Sequence, residues 1–309
     1  MLIKENELMS KHTTFRIGGP AKFFVEVTNP EELKEAMAMA EEKRLPWFVL
    51  GGGSNTLVAD KGYDGVVIMM ANRDVSIDGE RVTAGAGAIS VAVARTVGGV
   101  DLTGIEWMVS LPGTLGGAVR GNAGCFGGEM KDVVESIRVL RNGEVVEVKN
   151  ADCQFGYRES IFKHNSDIVI DATLKLVKGD PTTIKAKMDD VLSKRKSTQP
   201  TASGTAGCAF KNVEFQNEAQ IEKIKTVVPE IPAGFLQKHQ LGCGWIIDQL
   251  GMKGTRVGGI SISDVHGNFL INDGTATADQ VVQLVSLIKM RARDELGVQL
   301  QEEIQYLGF

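Results

Sequence analysis

Two clusters of small residues in this 309-residue chain have the makeup of a phosphate cradle. The first is Gly51-Gly52-Gly53-Ser54-Asn55, directly after the apolar run Trp47-Phe48-Val49-Leu50. The second is Leu111-Pro112-Gly113-Thr114-Leu115-Gly116-Gly117-Ala118, which continues to Asn122-Ala123-Gly124. Glycine makes up 36 of the 309 residues, well above the roughly 7% of ordinary usage, so the enrichment needs a reason. Lacking a Cβ, glycine lets backbone N–H groups close on a ligand, and a ring of such amides suits a pyrophosphate. The pattern fits several strand-end loops that jointly enclose an extended dinucleotide. One wall would come from Gly51, Gly52, Gly53, Ser54 and Asn55. The other would come from Pro112, Gly113, Thr114, Gly116, Gly117, Ala118, Asn122 and Gly124. Two unrelated glycine turns are the plainer alternative.

Other nucleotide motifs fit less well. Gly85-Ala86-Gly87-Ala88-Ile89-Ser90 comes close to the G-x-G-x-x-G fingerprint, but its last position is serine, and a tight strand-to-helix turn explains it as well. No G-x-x-x-x-G-K-[ST] occurs. Cys125, Cys153, Cys208 and Cys243 show no C-x-x-C spacing, and His12, His164, His239 and His266 are equally scattered, so no protein-held metal is expected. A formal charge of −5 argues against nucleic-acid binding. An anionic ligand would have to be met by local cations, of which Lys194-Arg195-Lys196 and Lys211 are available. The basic trio reads equally well as a solvated helix end. No apolar stretch approaches the ~18 residues of a membrane span, and Met1-Leu2-Ile3-Lys4-Glu5-Asn6 lacks the regions of a signal peptide. The expectation is a cytosolic protein, without a membrane partner, working as a monomer.

The elements that must position these residues are legible in outline. Strands are expected at 22–27, 47–50, 65–70 and 167–176. Asn29-Pro30-Glu31-Glu32 opens a helix with Asn at the cap and Pro at its first position, and Leu33, Met37 and Ala40 form its apolar stripe. Asp78-Gly79 and Asn142-Gly143 are hairpin turns. Gly179-Asp180-Pro181 marks a boundary before a helix at 182–194. The second half reads as a helix near 245–250, strands near 259–262 and 268–271, a helix at 277–296 ended by Gly297, and a strand over 298–306. Strands and helices do not alternate regularly, so the class is α+β. A chain of this length is expected to form more than one domain.

Several blocks taken together resemble the UDP-N-acetylenolpyruvoylglucosamine reductase family. They are Thr14-Phe15-Arg16-Ile17-Gly18-Gly19, the two glycine loops, Phe155-Gly156-Tyr157-Arg158-Glu159-Ser160 and Gly207-Cys208-Ala209-Phe210-Lys211-Asn212. His266-Gly267-Asn268-Phe269 and Leu300-Gln301-Glu302-Glu303-Ile304 complete the series. The resemblance spans essentially the whole chain in order. It implies an FAD-binding fold of the vanillyl-alcohol-oxidase (PCMH) type joined to a separate α+β substrate-binding domain. The FAD-binding region would be 1–179, in two lobes of about 1–50 and 51–179, with the PCMH-type part at about 17–179. The substrate domain would be 180–298, and 299–309 a C-terminal strand carrying Glu303.

The same resemblance implies bound FAD, NADPH as co-substrate and a nucleotide-sugar substrate whose enolpyruvyl ether is reduced. Arg158 would stabilise the negative charge that hydride addition builds beside the carboxylate, a task suited to a planar fork that never deprotonates. Glu303 is the matching acidic partner. Cys208 stands where the family usually has serine and would donate the proton. A thiol, with a reference pKa of about 8.5, remains mostly protonated at neutral pH and is a better acid than an alcohol. Tyr157, Arg195, Gln199, Lys211 and Asn212 would hold the substrate. Read singly, Arg158 could be an ion-pair residue, Glu303 an exposed charge and Cys208 a small buried apolar residue. The chain resembles the shorter members of the family: its only tyrosines are Tyr63, Tyr157 and Tyr306, and no insertion follows Asn212 to carry the extra tyrosine loop. Two other readings compete. One is an FAD enzyme of the same fold class oxidising a small hydroxylated substrate; the other is a catalytically dead nucleotide-sugar-binding protein.

Overall fold

The structure, a computed structural model, describes residues 1–201, 204–215 and 217–309. The expected local signals produce the expected elements. Asn29 caps the helix Pro30–Glu42 by accepting from the Glu32 N–H, and Leu33, Ala36 and Ala40 are its buried residues. Met37 is only partly buried against the core. Asn142 and Gly143 both take positive φ, 51° and 82°, and turn the chain between the antiparallel strands Val134–Arg141 and Glu144–Lys149. Two residues at positive φ match the right-handed twist of the flanking strands. The helix Ala278–Leu296 opens with a capping box between Thr277 and Gln280 and ends at Gly297 with φ 66°.

Two compact units result, each with its own core. The first comprises Met1–Glu7, Ala21–Gly53 and Asp64–Ser197; the second comprises Leu8–Pro20, Ser54–Tyr63 and Thr198–Phe309. This division differs from the three contiguous stretches expected from the sequence. The helix Pro181–Thr198 belongs with the first unit: Gly98 packs against its Met188 and Ile184, so the division falls at 198 rather than 180. Residues 299–309 are part of the second unit, not a separate piece.

In the first unit a five-stranded antiparallel sheet runs in the order Glu144–Lys149, Val134–Arg141, Ile168–Lys175, Arg81–Gly85, Val75–Asp78. A second sheet orders Leu2–Leu8, Pro20–Val27, Tyr63–Met70 and Trp47–Leu50, the last two parallel. In the second unit the helices Cys243–Gln249 and Ala278–Leu296 and the short sheet Arg256–Val257, Ile260–Ile262, Leu270–Asn272 share a core with Phe15, Ile17 and Leu57. The strand expected over 298–306 shrinks to Gln305–Leu307, paired in parallel with Thr56–Val58, and a single bridge from Glu302 to Phe210.

Candidate active site

The first glycine loop follows the strand Trp47–Leu50, and the second leads into the helix Leu115–Arg120. The two loops touch through backbone. A Cβ on Gly52 would lie 2.7 Å from Gly113 Cα, and one on Gly51 would lie 2.6 Å from Thr114 Oγ1. The stretch 85–90 is the strand-to-helix turn, between Arg81–Gly85 and Ser90–Gly98, and it forms the bed of the second loop. Leu115 and Gly116 donate their N–H groups to the Ala88 and Ala86 carbonyls, both at 2.9 Å. Gly116 is therefore a packing glycine, its virtual Cβ 2.7 Å from Ala86 Cβ, and its amide is engaged within the protein.

Thr114 tests whether this cradle suits a flavin dinucleotide. It is the N-cap residue of Leu115–Arg120, yet its side chain makes no capping bond. Its hydroxyl is buried and, among the described residues, lacks a hydrogen-bond partner. Such an orphan costs about 1–3 kcal/mol unless a ligand satisfies it. An oxygen-rich phosphate between close-packed glycine loops would do so, and the residues present fit FAD. Ser90 Oγ is a second buried hydroxyl in the same condition, which the sequence reading did not single out. Asn122 is differently employed: its side chain donates to the Gly156 carbonyl (2.8 Å) and Glu129 (3.0 Å) and accepts from the Lys131 N–H (2.9 Å).

Asn122 thereby fixes the turn that presents Arg158. Gly156 and Glu159 exchange backbone hydrogen bonds of 3.0 and 3.1 Å, leaving Tyr157 and Arg158 at the tip. Arg158 sits at φ 56°, a left-handed conformation that costs a non-glycine residue roughly 1–2 kcal/mol. The turn is held from three further sides. Arg158 Nη2 donates to the Gly124 carbonyl (2.9 Å), Lys163 Nζ to the Arg158 carbonyl (2.6 Å), and Ser160 Oγ to the Arg120 carbonyl (2.6 Å). The Arg158 guanidinium lies 5.2 Å from the Tyr157 ring centre. Arg195, near the end of Pro181–Thr198, points Nη1 at Ser110 Oγ (3.5 Å). Burial pushes the Cys125 thiol up, while the charges of Arg195 and then Arg158 pull it the other way. The two arginines thus act on one locality of the first unit.

Cys208 and Glu303 belong to the second unit and lie on adjacent segments. Glu303 donates its N–H to the Ala209 carbonyl, and Lys211 donates to Gln301, both at 2.8 Å. The Asn55 side chain, expected at the cofactor, donates to the Glu303 carbonyl (2.9 Å). Asn212 joins Gln240 (3.3 Å) and the Cys243 N–H (3.0 Å), and the chain passes directly on to the strand Val213–Glu214. Burial, and then the neighbouring Cys208, push the Cys243 thiol far up. Gln199 Oε1 is a buried acceptor without a partner among the described residues, and so is Thr205 Oγ1. Thr205 carries no sequence signal. Burial holds the His266 imidazole below its usual range, Lys253 acting in the same direction and Asp248 against it.

A family model for the C-terminal domain of UDP-N-acetylenolpyruvoylglucosamine reductase matches residues 199–307, and one for an FAD binding domain matches residues 21–149. A reductase of that name from Clostridioides difficile (strain 630) is 35% identical over 99% of this chain and 93% of its own length. One from Alkaliphilus oremlandii (strain OhILAs) is 36% identical, covering 99% and 94%. This chain belongs to the UDP-N-acetylenolpyruvoylglucosamine reductase family. The crystal structure of the reductase from Thermus caldophilus superposes with a TM-score of 0.79 at 33% identity, covering 99% of this chain and all of the other. The expected α+β FAD-binding fold is borne out, and the protein is an FAD-dependent oxidoreductase. Among the described residues no helix is long and apolar enough to cross a membrane.

Proposed function

We propose that this chain reduces UDP-N-acetylenolpyruvoylglucosamine to UDP-N-acetylmuramate with NADPH, a step in making peptidoglycan precursors. The observation that carries this reading is the match, over nearly the full chain, to reductases named for that substrate. The chemistry FAD supplies when bound is hydride transfer, taken from NADPH and passed to the enolpyruvyl double bond. The cradle of Gly51, Gly52, Gly53, Gly113, Thr114 and Gly117 would hold its pyrophosphate.

The protein's own residues do the rest. Arg158 meets the substrate carboxylate, where charge grows during the reaction, and its strained, heavily buttressed turn keeps it from relaxing away. Cys208 delivers a proton from Sγ to the carbon beside the carboxylate and is reprotonated from solvent. Glu303, on the segment bonded to Ala209, shares a proton with the developing aci-carboxylate and so stabilises it. Arg195, Gln199, Lys211, Asn212 and Tyr157 hold the nucleotide sugar, and the unpartnered Gln199 Oε1 is an acceptor ready for a substrate donor.

Anaerobic two-step titration tests the reading. NADPH should bleach the flavin absorbance, and the enolpyruvyl UDP-sugar should restore it with one equivalent of UDP-N-acetylmuramate formed. Bleached flavin that stays reduced with this substrate would refute the assignment.

A further inference from the structure

The block His266-Gly267-Asn268-Phe269 has no place in the chemistry above, yet Asn268 is bonded at three points to the segment that carries Cys208. Asn268 is 2% exposed. Its side-chain Nδ2 donates to the Phe210 carbonyl (2.8 Å), and its Oδ1 accepts from the Phe210 N–H (3.0 Å). Its own carbonyl accepts from the Ala209 N–H (2.8 Å). On the other side, Ala209 O takes the Glu303 N–H and Lys211 N–H goes to Gln301 O. Residues 208–211 form no regular strand; their pairings are isolated bridges, Cys208 to Phe269 and Phe210 to Glu302. The side-chain amide of Asn268 therefore acts as the regular sheet partner that this stretch lacks, matching the one backbone donor and the one backbone acceptor of a single buried residue. Asn268 is itself fixed, its N–H bonded to His266 Nδ1 (3.2 Å). The His266 ring packs at 66° and 5.0 Å on Phe269, the bridge partner of Cys208.

We propose that Asn268 is a positioning residue for proton delivery: its two-point clamp on Phe210 sets where the Cys208 thiol stands relative to Glu303. This rests on the reading of Cys208 as the proton donor. No other side chain of similar length makes both bonds, since aspartate lacks the donor and alanine lacks both. A displacement of about 1 Å at a reacting group is enough to cost ~10²-fold.

The test uses the FAD-loaded full chain with Asn268→Ala and the isosteric Asn268→Asp, following the two half-reactions separately by stopped flow. Flavin reduction by NADPH should change less than about threefold, whereas reoxidation by substrate should slow by ~30-fold or more. In a Cys208→Ala background, Asn268→Asp should add less than about twofold, because a group acting through another has nothing left to act on. The rate of Cys208 alkylation by iodoacetamide, read by mass spectrometry without turnover, should shift in both single variants. Equal slowing of both half-reactions, loss of flavin, or unchanged reoxidation would overturn the proposal. Unchanged reoxidation in Cys208→Ala itself would overturn the proton-donor reading and this inference with it. A slow Cys208→Ala beside a normal Asn268→Asp would overturn the inference alone.

Discussion

In the proposed reaction, the cysteine that stands at position 208, where the resemblance implies serine, lets the chemistry of one atom decide the outcome. Both side chains are short and can donate a proton, but the thiol is the stronger acid by several pK units. Its neighbours leave the segment little freedom: Ala209 and Phe210 are each 1% exposed, and their backbone groups are bonded on both sides. Removing the thiol should therefore remove a proton without moving the chain. Cys208→Ala is expected to keep NADPH-driven flavin reduction while substrate-driven reoxidation falls ~10²-fold or more, the usual worth of a positioned acid. Cys208→Ser should retain much of the rate. Product formation by single-turnover assay separates these outcomes, and normal turnover in the alanine variant would remove Cys208 from the mechanism.

The glycine loops act as a pair of elements, each giving the other its shape. Gly52 against Gly113 is a backbone-to-backbone contact with no flexible side chain to yield. Gly52→Ala is expected to push the loops apart and weaken FAD binding by about tenfold or more, equivalent to ~1.4 kcal/mol. Titration of apoprotein with FAD by fluorescence quenching measures this, and an unchanged Kd would mean that the two loops do not jointly set the cradle. Much at this scale was legible in sequence. Asn29 with Pro30, and Asn142 with Gly143, act within a few residues, where local chemistry determines conformation. What escaped depends on distant partners. Positive φ at Arg158 leaves no local trace, because arginine does not favour it. The clamp by Asn268 exists only once the stretch 208–211 lies beside it. The strand expected over 298–306 alternated well enough in sequence, but only Gln305–Leu307 finds a continuous partner.

At the scale of the whole molecule, the matched C-terminal stretch 199–307 is not a self-sufficient body. Its unit also needs 8–20 and 54–63, which are remote in sequence. Phe15, Ile17 and Leu57 lie in its core at 1%, 2% and 0% exposure. Thr56–Val58 is the only strand paired with Gln305–Leu307 among the described residues. Asp60 accepts from the Ala278 and Asp279 N–H groups at the start of the long helix (2.8 and 3.1 Å), and Asn272 Nδ2 reaches the Phe15 carbonyl (2.8 Å). Losing one large core side chain costs about 2–5 kcal/mol, and a domain has only about 5–15 kcal/mol in total. Three such losses, together with a strand and a helix cap, exceed that margin. A fragment of residues 199–309 expressed alone should therefore show poor amide dispersion by NMR and no cooperative thermal transition, while the full chain shows both features of a folded protein. A fragment that unfolds cooperatively would mean that the segments 8–20 and 54–63 decorate this unit instead of completing it.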